Sequence, residues 1–157
     1  MNKRISVCPR ILRYRPPRIA MTLLAAAGML QLALPNAWPM IAAVPLGGGA
    51  IGVLGFGIML RAWWLFRAHQ TAICPTAETT TLITGDVYRL TRNPMYLGVV
   101  LMLLGVAIGT GGLPFYIATL AFFLIINFAF CPYEERKLEQ GFGAAFMAYR
   151  ERVRRWL

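Results

Sequence analysis

Four long apolar runs, separated by short polar breaks, decide what this chain can become. They cover residues 19–34, 40–60, 94–112 and 113–131. A helix needs roughly 20 apolar residues, with tolerance to about 17, to cross a hydrocarbon layer about 30 Å thick. The second run carries no charge at all, and the first is slightly short and diluted by Thr22 and Gln31. Of 157 residues, 58% are hydrophobic and only 14% charged, and the mean hydropathy of +0.58 lies far outside the range of ordinary soluble domains. The pattern predicts an all-α integral membrane protein: one membrane domain over residues 1–157, with about four transmembrane helices.

The breaks give the orientation. Those at residues 35–39 (PNAWP) and 109–114 (GTGGLP) have turn chemistry and no Lys or Arg. The sixteen Lys and Arg fall instead in a basic N-terminus, residues 1–18, in the central loop, residues 61–93, and after the fourth run. By the positive-inside rule these three segments are cytoplasmic, which places both termini on that side and makes the span count even. Clusters beside apolar runs predict lipid headgroups as the counterion of the net charge of +10, and no nucleic acid partner. The basic start followed by an apolar run also resembles a secretory signal, but no small-x-small cleavage site follows, so the first helix is expected to be retained. Cys8, Cys74 and Cys131 are widely separated and predict free thiols.

Local composition refines the picture. Gly48-x-x-x-Gly52 and Gly105-x-x-x-Gly109 have the spacing that lets helix backbones approach closely in lipid. Arg61, Trp63, Trp64 and Arg67 read as an interfacial belt. After the fourth run, Leu138, Phe142, Phe146, Tyr149, Val153 and Trp156 recur at three- and four-residue steps among arginines, which predicts an amphipathic C-terminal helix over residues 132–157, interrupted near Gly141 and Gly143.

Two polar clusters sit where the composition offers least reason for them. In residues 84–98, TGDVYRLTRNPMYLG, Asn93-Pro94 has the chemistry of an N-cap followed by proline at the first helical position. The third helix would then start with free backbone donors near Met95 and Tyr96, and Arg89 and Arg92 stand beside them; this suits a carboxylate or phosphate as well as a plain anchored helix. The second cluster is Glu134-Glu135-Arg136. With only six acids in the chain, two adjacent ones at a membrane interface either favour a helix dipole or hold a cation while pairing an arginine of the central loop. His69, the only histidine, reads as a surface or turn residue. Neither metal-ligand spacing nor a nucleophile motif is present.

Taken together, the two clusters resemble a known family. Residues 82–98 are similar to the "LVTxGxYRxxRHPxYxG" block of the isoprenylcysteine carboxyl methyltransferase and phospholipid methyltransferase families, and residues 134–153 to their "EExxLxxxFGxxYxxYxxxV" block. The order and separation of the blocks match as well, over roughly residues 60–157. The resemblance implies an integral-membrane enzyme, in the inner membrane of a bacterium, that uses S-adenosylmethionine at the cytoplasmic membrane face, with the central loop as its cofactor loop. Carried over by position, it implies cofactor contacts from Thr80, Thr81, Leu82, Ile83, Tyr88, Asn93, Pro94, Met95, Tyr96 and Glu134. Asn93 replaces the family's His, Gly85-Asp86 replaces Ser-Gly, and Phe130 stands where eukaryotic relatives place a substrate-binding arginine.

A sulfonium donor is already activated, so proximity, alignment and exclusion of water can carry much of the catalysis. Arg92 is expected to position an anionic acceptor or the cofactor carboxylate, and Glu135 to serve as base if the acceptor is an amine or phenol. The acceptor is lipophilic or small, with a carboxylate, thiol or amine to methylate. A membrane reductase with a nicotinamide cofactor and a non-catalytic membrane scaffold are the competing readings.

Overall fold

A proline opens each of the apolar helices, because its missing N–H and fixed φ cost nothing in a first turn. The computed structural model describes residues 15–34, 37, 41–69 and 81–157, and among these the fold is all-helical. Helix α1 spans Pro16–Ala33, α2 Pro45–Ala68, α3 Pro94–Thr110 and α4 Leu113–Ile125, the last with Pro114 in its first turn. The belt arginines lie on α2 itself, which begins five residues after the expected start at 40 and runs eight past the expected end at 60. Residues 41–44 are not helical. They donate from Ile41 N–H to the Gly111 carbonyl (2.8 Å) and from Val44 N–H to that of Ile108 (2.9 Å), occupying the carbonyls at the end of α3.

The fourth run does not end at residue 131. Helix α4 passes through a π turn, Ile126–Phe130, into α5, Cys131–Phe142, as one continuous rod. Pro132 explains the π turn: it has no N–H to give, and the Cys131 N–H reaches back to the Ile126 carbonyl in the wide i→i−5 pattern. The single amphipathic helix expected over residues 132–157 is corrected accordingly. Its first part continues α4, Gly143 breaks it at φ 49° and ψ −122°, α6 covers Ala144–Arg152, and Val153 is extended. Glu134 falls in the first turn of α5, but because α5 continues the rod the two glutamates do not face the open start of a separate helix.

Two of the described helices, Pro45–Ala68 and the continuous Leu113–Phe142, are long and apolar enough to cross a membrane. Length and composition alone thus support two of the four expected spans. Helix α3 is apolar but has 17 residues, and α1 has 18 residues but starts with two prolines and Arg18. The outward surface suits lipid: Leu46 is 90% exposed, Val53 74% and Phe128 72%. So much large apolar surface facing out would be a liability in water.

Helices α2 and α3 run antiparallel and nearly touch. A Cβ built on Gly55 would lie 2.6 Å from the Gly98 carbonyl oxygen, and one on Gly105 would lie 2.5 Å from that of Gly48. The seam thus repeats every seven residues, Gly48 and Gly55 against Gly105 and Gly98. The expected four-residue pairs contribute only in part, since a Cβ on Gly52 would meet nothing within 4 Å. On the other side of α3, Leu103, Phe122, Ile126, Phe130 and Ala20 form a core shared by α1, α3 and the rod. A second core of Ala62, Leu65, Tyr88, Phe146 and Tyr149 folds α6 and the loop before α3 against the end of α2. Full burial of a side chain such as Phe146 stabilises by about 1.5–3 kcal/mol, which is what fastens this polar end of the molecule to the apolar bundle.

Candidate active site

Between the two cores lies a pocket with a volume of about 220 Å³. One wall is the segment before α3. Asp86 takes a left-handed φ of 58°, at the position where the resembled motif has glycine. Aspartate tolerates that conformation with local hydrogen bonds: its carboxylate accepts from Val87 N–H (2.8 Å) and from Arg61 Nε (3.0 Å) and Nη2 (2.5 Å). The Arg61 hydrogen bond holds the Asp86 carboxyl below the usual carboxylate range. The turn Asp86–Arg89 that follows buries Tyr88, whose phenol is pushed well above its ordinary range by burial. Its carbonyl accepts from the Tyr149 hydroxyl at 2.7 Å, tying α6 to the loop.

The start of α3 is built differently from the sequence expectation. Asn93 is buried and has no side-chain cap to α3; its Nδ2 donates to the Arg155 carbonyl at 3.1 Å instead. No side-chain cap satisfies the first-turn N–H groups of α3, and Met95 and Tyr96, which sit in that turn, line the pocket. Opposite them, α5 presents Glu134, which accepts a hydrogen bond from the Tyr96 hydroxyl across 38 positions of sequence.

The arginine beside α3 also carries a cost of burial. The side chain of Arg92 is only 11% exposed, and its Nε and Nη1 are buried with no hydrogen bond. Nη1 stands 3.3 Å from Glu135 Oε1 as an ion pair. Burial pulls the guanidinium below its ordinary pKa while Glu135 pulls it back up. Glu135 itself is clamped: Arg155 approaches both its oxygens, Nε at 2.9 Å from Oε1 and Nη2 at 2.6 Å from Oε2.

Thr81, Leu82, Ile83, Tyr88, Asn93, Pro94, Met95, Tyr96 and Glu134 all line this one pocket, and Arg92 and Glu135 line it too. Thr80 lies outside the described residues, as do Cys8 and Cys74. Arg89 is exposed, and His69 is a turn residue at the end of α2, its Nδ1 2.9 Å from the Leu65 carbonyl. Among the described residues no group of His, Cys, Asp and Glu could hold a metal ion. The sequence reading missed the pocket's apolar floor, Pro16, Pro17, Met59 and Val99, and its α6 wall. It also missed Arg155. The available signal was Asn127, a lone amide inside the fourth apolar run, which in such surroundings demands a polar partner; Arg155 and Trp156 supply it.

A family model described as phospholipid methyltransferase matches residues 43–145, about two thirds of the chain, from just before α2 to the start of α6. No curated protein and no solved structure matches the chain.

Proposed function

This chain belongs to the phospholipid methyltransferase family, and we propose that it is a membrane-embedded methyltransferase that uses S-adenosylmethionine to methylate a lipophilic or small acceptor at the cytoplasmic membrane face. The family supports the membrane methyltransferase class. The observation that carries the cofactor is the pair of charges facing across the pocket: the buried guanidinium of Arg92, whose Nε and Nη1 make no hydrogen bond, on one side and the carboxylate of Glu134 on the other.

The residues present fit the cofactor. Its methionine part has a carboxylate, suited to Arg92 and to the uncapped first turn of α3. Its ammonium and sulfonium suit Glu134 and the faces of Tyr88 and Tyr96. When bound, S-adenosylmethionine supplies a methyl group made electrophilic by the sulfonium. Thr81, Leu82, Ile83, Asn93, Pro94 and Met95 shape the cavity, and Thr80 belongs to the same proposed contact set. The Tyr96 hydroxyl holds Glu134 in place, so the carboxylate needs no reorganisation when a cation arrives.

The site's own residues favour an acceptor that needs no base. Both oxygens of Glu135 are engaged by guanidinium groups, closely by Arg155 and at 3.3 Å by Arg92, so it serves as a charge partner of these arginines rather than as the base. A carboxylate or thiolate acceptor fits that arrangement. Met59 and Val99 extend the pocket toward the apolar part of the bundle, where a lipophilic tail would lie.

Ligand binding to purified protein in detergent tests this reading. S-adenosylmethionine and S-adenosylhomocysteine are expected to raise the melting temperature, and at 100 times Kd binding stabilises by about 2.7 kcal/mol. Glu134→Ala and Tyr96→Phe should weaken both. Stabilisation by NADPH instead would favour a reductase, and no response to either cofactor would favour a scaffold.

A further inference from the structure

The residues after α6 lie beyond the family-matched stretch, which ends at 145, yet they fold back over the site. Arg92 N–H donates to the Arg154 carbonyl at 3.0 Å. The Arg155 carbonyl accepts from Thr91 Oγ1 (2.8 Å) and Asn93 Nδ2 (3.1 Å). Thr91 and Asn93 are both buried, so the three residues leading into α3 are gripped by two consecutive carbonyls of the tail. The grip is anchored at the far side, where Trp156 Nε1 donates to Asn127 Oδ1 at 3.0 Å and its ring packs 5.0 Å from that of Phe123.

The side chain of Arg155 connects this tail to the charges of the pocket. Pro132 cannot donate to the Asn127 carbonyl, and Arg155 Nη1 takes that oxygen at 3.4 Å. Its Nε and Nη2 take both oxygens of Glu135 in a bidentate pair. Glu135 is thereby neutralised by a residue outside the pocket, and Arg92 is left with a 3.3 Å ion pair and no hydrogen bond on its buried Nε and Nη1. Without Arg155, the buried carboxylate of Glu135 would keep its ion pair to Arg92 and would pull that guanidinium out of the pocket wall.

We infer that Arg155 is a positioning residue: by holding Glu135 and the backbone before α3, it keeps the Arg92 guanidinium available to an anionic group in the pocket. The inference rests on the reading of this pocket as the S-adenosylmethionine site. It adds a role for a residue ten positions past the end of the matched stretch.

The test uses the full chain in detergent, with calorimetric binding of S-adenosylhomocysteine and amide hydrogen exchange of the ligand-free protein. Arg155→Ala should raise Kd about tenfold or more, as loss of an orienting partner commonly does. Arg155→Lys should recover part of the loss, since a point charge can neutralise Glu135 without the bidentate fork. Arg154→Ala, which keeps the backbone carbonyl, should bind as wild type. In an Arg92→Ala background, adding Arg155→Ala should change Kd less than twofold, because the route through Arg92 is already gone. A Kd within twofold of wild type for Arg155→Ala, or losses that multiply in the double variant, would overturn the inference. Exchange decides independently of ligand: peptides covering Arg92 and Asn93 should exchange faster in Arg155→Ala and unchanged in Arg154→Ala, and equal protection in all three proteins would sink it. If wild type binds no cofactor, the proposed function fails, and exchange alone judges the latch.

Discussion

The hydroxyl of Tyr149 is a single atom whose contribution can be separated from the rest. It donates to the Tyr88 carbonyl at 2.7 Å, and burial pushes the phenol up to about 12. Tyr149→Phe keeps the ring against Phe146 and leaves a buried carbonyl unmet, so it should cost about 1–3 kcal/mol in thermal unfolding. The pH dependence follows from the sign of the shift. The folded pKa lies above the unfolded value near 10, so the native state holds its proton longer, and wild type loses stability only as pH rises past about 10. The gap between wild type and Tyr149→Phe should therefore be constant from about pH 6 to 9 and shrink above 10. A gap that varied near neutrality would show that another group, not this phenol, carries the effect. Arg92, Glu134 and Glu135 were legible in the sequence because charge is scarce in so apolar a chain and needs a reason. Tyr149 was legible as part of an apolar stripe and as a position of the resembled block, but its partner was not, since that lies 61 positions away and no local pattern encodes the pairing.

Among the helices, the α2–α3 seam offers the sharpest test, since two glycines of the same composition class have opposite surroundings. A Cβ on Gly98 would lie 2.5 Å from the Gly55 carbonyl oxygen, whereas one on Gly57 would meet nothing within 4 Å. Gly98→Ala must push two backbones apart and is expected to cost about 1–3 kcal/mol. Gly57→Ala relieves the entropic cost of glycine in a helix and should be neutral or stabilising by about 0.5–1 kcal/mol. Melting followed by tryptophan fluorescence compares the two, and equal effects would mean the helices are not in backbone contact. A third substitution, Gly143→Ala, tests the break between α5 and α6. Its φ of 49° and ψ of −122° suit glycine alone, and strain of about 1–3 kcal/mol is expected. The sequence made glycine packing legible but not its register, because spacing of four and spacing of seven are both satisfied by so many glycines. It also could not reveal that α4 and α5 are one rod, since Pro132 reads as a stop unless a π turn absorbs it.

For the whole molecule, the question is how many helices cross the bilayer. Among the described residues only α2 and the α4–α5 rod qualify on length and apolarity, yet packing argues for more. Helix α3 lies antiparallel along α2 from Gly98 beside Gly55 to Gly105 beside Gly48, so α3 occupies the same depth as the part of α2 it touches. Helix α1 shares the core of α3 and the rod through Ala20, Leu23 and Leu24. At 1.5 Å per residue, the 17 residues of α3 reach about 25 Å, a shortfall that local thinning and snorkelling of flanking arginines accommodate at modest cost. Four crossings are therefore expected. They would leave the pocket, the basic tail and the end of α2 on one face, and Ala37 and Thr110 on the other. One added cysteine at each of those two positions and at Arg67 and Arg150, with Cys8 and Cys74 replaced by serine and the buried Cys131 kept as the background thiol, tests this in sealed membranes. An impermeant maleimide added to one side should label Ala37→Cys and Thr110→Cys together, and Arg67→Cys and Arg150→Cys only from the opposite side. Labelling of Thr110→Cys from the Arg67 side would show that α3 does not cross, and the site would then sit on a bundle with only two true spans.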